Sequence, residues 1–239
     1  MINKARAAVV DCRASQKIID NLKNYARDVI LMPPFPALAS PVASHPDMLV
    51  WSQGNRIFTY QSYVCIAKEQ FNAIKALGYQ IIFVQEDAKS TYPDDVHLNC
   101  ATVGQYLIAN KHTVSRSIIT EIEQCNIFLL HTNQGYAKCS ICKVSDNAII
   151  TADRSIHKVA TAFGIDSLLI REGDVRLDGY DHGFIGGASG NNGDHVFFCG
   201  DITAHPDGDL ITNFVLSHGK QIISLSNETL HDFGTVMFL

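Results

Sequence analysis

FGTVMFL, residues 233–239, is a short apolar strand pattern that stands alone, with no partner strand or helix behind it. Residues 7–32 read as a strand (7–11), a helix (about 14–25) and a strand (29–32), with nothing ahead of the first strand. Between these ends the chain repeats one order: strand, turn, strand, helix, strand. Joining 233–239 to 7–32 makes one further copy. The expected fold is therefore α/β, a pseudo-fivefold propeller of five ββαβ units closed by pairing of the N- and C-terminal segments. Closure also removes an exposed edge strand, which would otherwise invite pairing with other chains.

Five segments leave a helical pattern and enter an apolar strand: 24–32, 75–85, 121–132, 161–173 and 216–226. Gly78, Gly164 and Gly219 stand where three of the helices should stop, with Asp28 and Asn126 in the other two. Glycine, and to a lesser degree Asn, accepts the left-handed backbone that follows a helix. Ahead of the helices, residues 45–60, 96–110, 137–153 and 184–201 read as strand, turn, strand, turning near Gly54, Gly104, Asp146-Asn147 and Gly193. Ile66, Phe71, Ile74 and Leu77 should share one helical face, as should Val159, Ala162 and Phe163 after a start at Asp153 or Ser155. Asp207, after Pro206, is the expected cap of the last helix. The alternative is an ordinary three-layer α/β domain. An eight-unit barrel has too many units, and all-β propeller blades carry no helix.

Of the 239 residues 46% are hydrophobic, enough for one substantial core, and residues 1–239 are expected to form a single domain. Charged residues make up 18% and the net charge is -5, so neither disorder nor a nucleic-acid footprint is indicated. The N-terminus has no signal-peptide pattern and no run is long enough to span a bilayer. Seven scattered cysteines read as reduced thiols, which suits a cytoplasmic protein.

The loops that lead into each unit's first strand should gather at one end of the ring. They contain His45 and Asp47; Asp94, Asp95, His97 and Asn99; His131, Gln134 and Lys138; Asp178, Asp181 and His182; and Asn227, Glu228, His231 and Asp232. Every one has a histidine. Read as strand, His45-Pro-Asp47 and His97-Leu-Asn99 each send both polar side chains to one face, a usual arrangement for acid–base chemistry. Cys139 follows a Gly135-Tyr136 turn at the start of an expected strand, beside Lys138, whose charge would favour a thiolate. The other reading of Cys139 is a buried core thiol, and that of the loop residues is polar capping of a rim.

Cys139-Ser-Ile-Cys142 does not read as a metal site, because residues three apart on a strand face opposite ways and no second pair completes four ligands. GFIGGASG (183–190) departs from the dinucleotide fingerprint and precedes a hairpin; its Gly186-Gly187 pair suits a close backbone approach. No cofactor is expected. The expected partner is a small-molecule ligand, with no nucleic acid and no membrane.

QGYAKCSICKV (134–144), AIITADRSI (148–156), DHGFIGGASG (181–190) and HPDGDLI (205–211) resemble an uncharacterised bacterial family of the guanidino-group-modifying enzyme, or pentein, superfamily. The resemblance covers nearly the whole chain and implies the five-unit ring. In active members a cysteine attacks the guanidinium carbon, a histidine of an HxD or HxE motif moves protons, and acidic residues hold the guanidinium. The amidino group is carried as a covalent thiouronium. By that resemblance Cys139 is the nucleophile of a hydrolase or transferase, and His97 or His45 the acid–base. Asp47, Asp94, Asp95, Asn99, Asp181, His182, Glu228 and His231 are then the substrate-binding set. Two departures stand out: active members carry the cysteine near the C-terminus, whereas no cysteine follows Cys199, and Asn99 replaces a motif carboxylate. The superfamily also has a non-enzymatic branch, the ribosome anti-association initiation factor. A pentein-fold binding or interaction protein is thus the alternative function.

Overall fold

A computed structural model describes residues 4–239. The chain opens with β1 (Ala5–Asp11), α1 (Gln16–Leu22) and β2 (Ala26–Met32), then a short helix α2 (Pro46–Leu49). A second stretch holds β3 (Val50–Gln53), β4 (Arg56–Thr59), α3 (Gln61–Ile66), α4 (Lys68–Ala76) and β5 (Gln80–Phe83). Next come β6 (Ala101–Val103), β7 (Tyr106–Ala109), α5 (Arg116–Gln124) and β8 (Phe128–His131). A one-turn helix α6 (Ala137–Ser140) leads to β9 (Cys142–Ser145), β10 (Ala148–Thr151), α7 (Arg154–Ala162) and β11 (Asp166–Leu169). The last stretch is β12 (Ser189–Asn191), β13 (His195–Phe198), α8 (Gly208–Ser217), β14 (Gln221–Ser224) and β15 (Val236–Phe238). No helix among the described residues is long and apolar enough to cross a membrane.

One pairing rule recurs. β3–β4, β6–β7, β9–β10 and β12–β13 are antiparallel hairpins, and after a helix the third strand returns parallel to the second. The chain ends obey the same rule, as the isolated C-terminal strand predicts. β15 lies antiparallel to β1, with Ala8 opposite Phe238 and Val9 opposite Met237, and β1 is parallel to β2. A parallel contact between β12 and β15 fuses two of these triples into a six-stranded sheet, β14-β13-β12-β15-β1-β2; the other three triples are separate sheets. Burial follows strand position. The middle strands β10 and β13 are wholly buried, whereas the third strands β5, β11 and β14 are exposed at both ends. The first strands face a common cavity of about 300 Å³, lined among others by Trp51, Thr102, Lys143, Gly190 and Met237 from β3, β6, β9, β12 and β15.

Local chemistry accounts for the element ends. Asn126 (φ 54°) and Gly164 (φ 78°) take the left-handed conformation just past α5 and α7, as expected of helix terminators. The Asp153 carboxylate caps α7 by accepting from the Ser155 and Ile156 amides. Other expectations are corrected. Asp28 lies inside β2 and terminates nothing, because α1 already ends at Leu22. Asp207 precedes α8, but its carboxylate accepts from the Arg171 amide and guanidinium instead of capping the helix. A break at Ala67 (φ -98°, ψ 40°) separates α3 from α4, turning Ile66 outward while Phe71 and Ile74 stay buried. On α7 the buried face is Ile156 and Ala160, and Phe163 is exposed.

Candidate functional site

Cys139 is not at the start of a strand; it sits in α6, and Asn99 holds that single turn in place. The Asn99 side-chain oxygen accepts from the Lys138 amide (2.8 Å) and the Cys139 amide (3.2 Å), donors that a one-turn helix cannot satisfy itself. The other end of the same amide donates to the Cys139 sulfur (2.9 Å), the Asp47 carbonyl (3.2 Å) and the Met48 sulfur (3.2 Å). One buried side chain thus ties the 97–99 loop to α2 and α6.

His45-Pro-Asp47 is not a strand either: His45 precedes α2 and Asp47 lies in its first turn. The helical turn sends the two side chains to different partners. His45 is buried between two carboxylates, its Nε2 3.7 Å from Asp11 and its Nδ1 3.7 Å from Asp232, and Nδ1 makes no hydrogen bond. Asp11 is held by the Arg13 guanidinium (2.5 and 2.9 Å). Asp232 accepts from the amides of Phe184 and Gly234, both at 2.9 Å. Asp47 faces Thr235, whose hydroxyl lies 3.2 Å from Asp47 Oδ2, and its Oδ1 has no partner of ordinary geometry.

Glycines make this density of groups possible. A Cβ on Gly187 would stand 2.0 Å from Asp232 Oδ1, and one on Gly186 would stand 2.4 Å from the carbonyl oxygens of Lys138 and Ile141. The close approach expected of this pair is therefore onto α6 and Asp232. Thr235 adopts φ 75°, a strained conformation for a β-branched residue that costs about 1–3 kcal/mol. It is held there by its amide bond to the Gly187 carbonyl (2.7 Å) and its hydroxyl bond to the Gly186 carbonyl (2.8 Å).

Cys139, His45, Met48 and Asp232 line a cavity of about 170 Å³ whose other walls include Tyr136 and Phe184. Those two rings stack 6.1 Å apart, and the Tyr136 hydroxyl donates to Asp95 (2.6 Å). Burial, and then the charges of Asp47 and Asp232, push the Cys139 thiol well above its ordinary value. Lys138, although adjacent in sequence, donates to the Thr235 hydroxyl, and its charge does not offset burial at the thiol. Burial, helped by Arg13 and His231, lowers His45 to about 3, so the imidazole is neutral. Burial and then Asp47 raise Asp232 to about 7, while burial raises Asp47 and lowers Lys138. Desolvation dominates every group.

The candidates from sequence divide. Cys139, His45, Asp47 and Asn99 converge, Asp95 buttresses Tyr136, and His182 lines the cavity. His97 does not join them. Its ring bonds the Thr113 carbonyl (2.8 Å) and faces Asp94, which pairs at the surface with Lys89. Asp181 lines a separate cleft, Glu228 is exposed, and His231 stacks on Phe233 (4.2 Å) beside Asp178. Asp11, Arg13 and Thr235 are absent from the residues singled out by sequence, and Asp232 is there only as a loop residue without a role; the Asp232-Phe-Gly-Thr235 run just ahead of the last strand is the available signal. No group of three or more His, Cys, Asp or Glu among the described residues is arranged to hold a metal.

Solved structures resemble this chain in fold. An amidinotransferase of saxitoxin biosynthesis from Microseira wollei matches with TM-score 0.54 and 10% identity, over 93% of this chain and 89% of its own. DDAH from Pseudomonas aeruginosa, solved with citrulline, matches with TM-score 0.54 and 9% identity, over 93% and 92%. C. jejuni agmatine deiminase matches with TM-score 0.55 and 9% identity, over 93% and 87%. The fold is thus that of the guanidino-group-modifying enzymes. A family model described as "Family of unknown function (DUF6873)" matches residues 9–237, and the chain belongs to that family. No curated protein matches it.

Proposed function

We propose that the chain forms one closed five-unit ring in which the cavity lined by Cys139 modifies a guanidino group. Five repeats of one strand rule and a cavity faced by the first strand of each support the ring. The observation that carries the function is the 170 Å³ cavity that brings a thiol, a neutral imidazole and a carboxylate to one wall, beside stacked aromatic rings. Fold relatives that act on amidino and guanidino compounds lend it support.

In this reading the planar cation lies between Tyr136 and Cys139, with Asp232 accepting from its nitrogens. Its positive charge opposes the carboxylates that keep the thiol protonated, so binding itself favours the thiolate. The Cys139 sulfur then bonds the guanidinium carbon, and as the C–N bond breaks the departing amine takes a proton from the acid form of Asp232, raised by burial to about 7. Neutral His45 accepts a proton from the water or amine that resolves the thiouronium. The rival is a binding protein, favoured by the 3% exposure of Cys139 and its raised thiol.

The test is incubation with agmatine, arginine and methylated arginines, following ammonia, amine and ureido product together with intact mass. Turnover or an amidino adduct, lost in Cys139→Ser, is expected. Neither product nor adduct, with saturable binding retained, would overturn the reading in favour of the rival.

A further inference from the structure

Cys139 and Lys138 are neighbours in α6, yet they face different cavities. Cys139 lines the 170 Å³ cavity, whereas Lys138, Asp47 and Thr235 line the 300 Å³ cavity between the first strands; the two cavities share no lining residue. Three polar side chains bridge them. Lys138 Nζ lies 2.7 Å from the Thr235 hydroxyl, and that hydroxyl lies 3.2 Å from Asp47 Oδ2. The other Asp47 oxygen is buried without a partner of its own, and the carboxylate is close enough to the Cys139 thiol for each to perturb the other. Thr235 keeps this hydroxyl in place despite its left-handed backbone, where glycine would sit without strain.

We infer that Asp47, Thr235 and Lys138 form a proton relay that carries the Cys139 proton away from the substrate cavity to the cavity between the first strands. The inference rests on Cys139 being the nucleophile. The Cys139 S–H bond breaks and an O–H bond forms on Asp47. Asp47, which burial raises toward the acid, starts with its proton on Oδ2; that proton passes to Thr235 as the other oxygen takes the Cys139 proton, and Thr235 gives its own to the neutral Lys138 amine. The thiol ends as thiolate and the amine as ammonium, with Asp47 and Thr235 unchanged. Burial lowers Lys138 toward the amine form the relay starts from, and the product ammonium faces the larger cavity. Thr235 and Lys138 are then positioning residues, since neither touches the reacting carbon. The charged groups around the relay are Asp11 near Asp47, Asp232 near Cys139 and Lys138, and Lys143 on the cavity wall; Cys142 also faces Lys138.

The experiment is the pH profile of Cys139 alkylation in the full chain, resolved from the other cysteines by peptide mass mapping. Thr235→Val and Thr235→Gly remove the hydroxyl, the second without backbone strain, and Thr235→Ser keeps it. The expected result is a midpoint at least one pH unit higher in the Val, Gly and Lys138→Met variants, about tenfold slower labelling at pH 7, and a wild-type profile in the Ser variant. A wild-type profile in Thr235→Gly overturns the relay. A shift in Lys138→Met alone also overturns it, leaving Lys138 as a fixed charge. A wild-type Cys139 that stays unlabelled at every pH overturns the nucleophile reading and the relay together.

Discussion

Replacing Asn99 by alanine removes one side chain and strands several groups in a buried setting. The Lys138 and Cys139 amides lose their acceptor, and the Asp47 carbonyl loses a donor. Each buried amide left unsatisfied costs about 1–3 kcal/mol, so two of them, offset by partial relaxation of the turn, predict a loss of about 3–5 kcal/mol. Urea unfolding at pH 7, followed by far-UV circular dichroism, measures it. With a slope near 3 kcal/mol per molar, the midpoint should fall by about 1–2 M. Ile66→Ala, at a side chain left 47% exposed, is the control, expected within about 0.5 kcal/mol of wild type. Asn99 also opposes the upward push on the Cys139 thiol, so the variant should need a higher pH for labelling. A loss below 1 kcal/mol would refute the reasoning, because the α6 amides would then have another acceptor.

Gly187→Ala places a methyl 2.0 Å from Asp232 Oδ1 and should destabilise by about 1–3 kcal/mol, read as a lowered Tm. Thr235→Gly should be more stable than Thr235→Ala by about 1 kcal/mol, since both lose the hydroxyl but only glycine releases the φ 75° strain. The pH dependence of stability should show two opposed slopes. Asp232 is raised to about 7 when folded, so between about pH 4 and 7 the folded state binds the extra proton, and stability falls as pH rises. His45 is lowered to about 3, so between about pH 3 and 6.5 the unfolded state binds the extra proton, and stability rises with pH. Relative to wild type, Asp232→Asn should rise more steeply over pH 4–6.5 and His45→Asn should fall. Each difference has a ceiling of about 1.4 kcal/mol per pH unit. Parallel stability curves for wild type and both variants would remove the buried-titration account.

Repeat architecture was readable from sequence because its signals are local. Alternating apolar residues, hairpin turns and helix terminators such as Asn126 and Gly164 each act within a few residues, and four hairpins followed in one order by a helix and a strand leave few topologies. Even the pairing of β15 with β1, nearly the full chain length apart, followed from counting strands. The misplaced details were those where tertiary partners override local pattern: Asp207 leaves its capping role for Arg171, and the strand-like 45–47 segment becomes a helical turn.

Which polar residues make a site was decided only by the tertiary structure. His45 and His97 occupy matching motifs, yet one faces Asp232 beside Cys139 and the other is tied to Thr113. Adjacent helical residues point about 100° apart, so Lys138 and Cys139 enter different cavities, and the thiol is governed by burial and by Asp47 and Asp232 more than by the positive charge next in sequence. The sequence alone determined the recurring strand, turn, strand, helix, strand order, the pairing of the chain ends and the loops that carry polar residues. Burial, and the convergence of Asp47, Asn99, Cys139 and Asp232 from distant segments, set the charge of each group. Desolvation and Coulomb forces depend on distances through space, which spacing along the chain does not record.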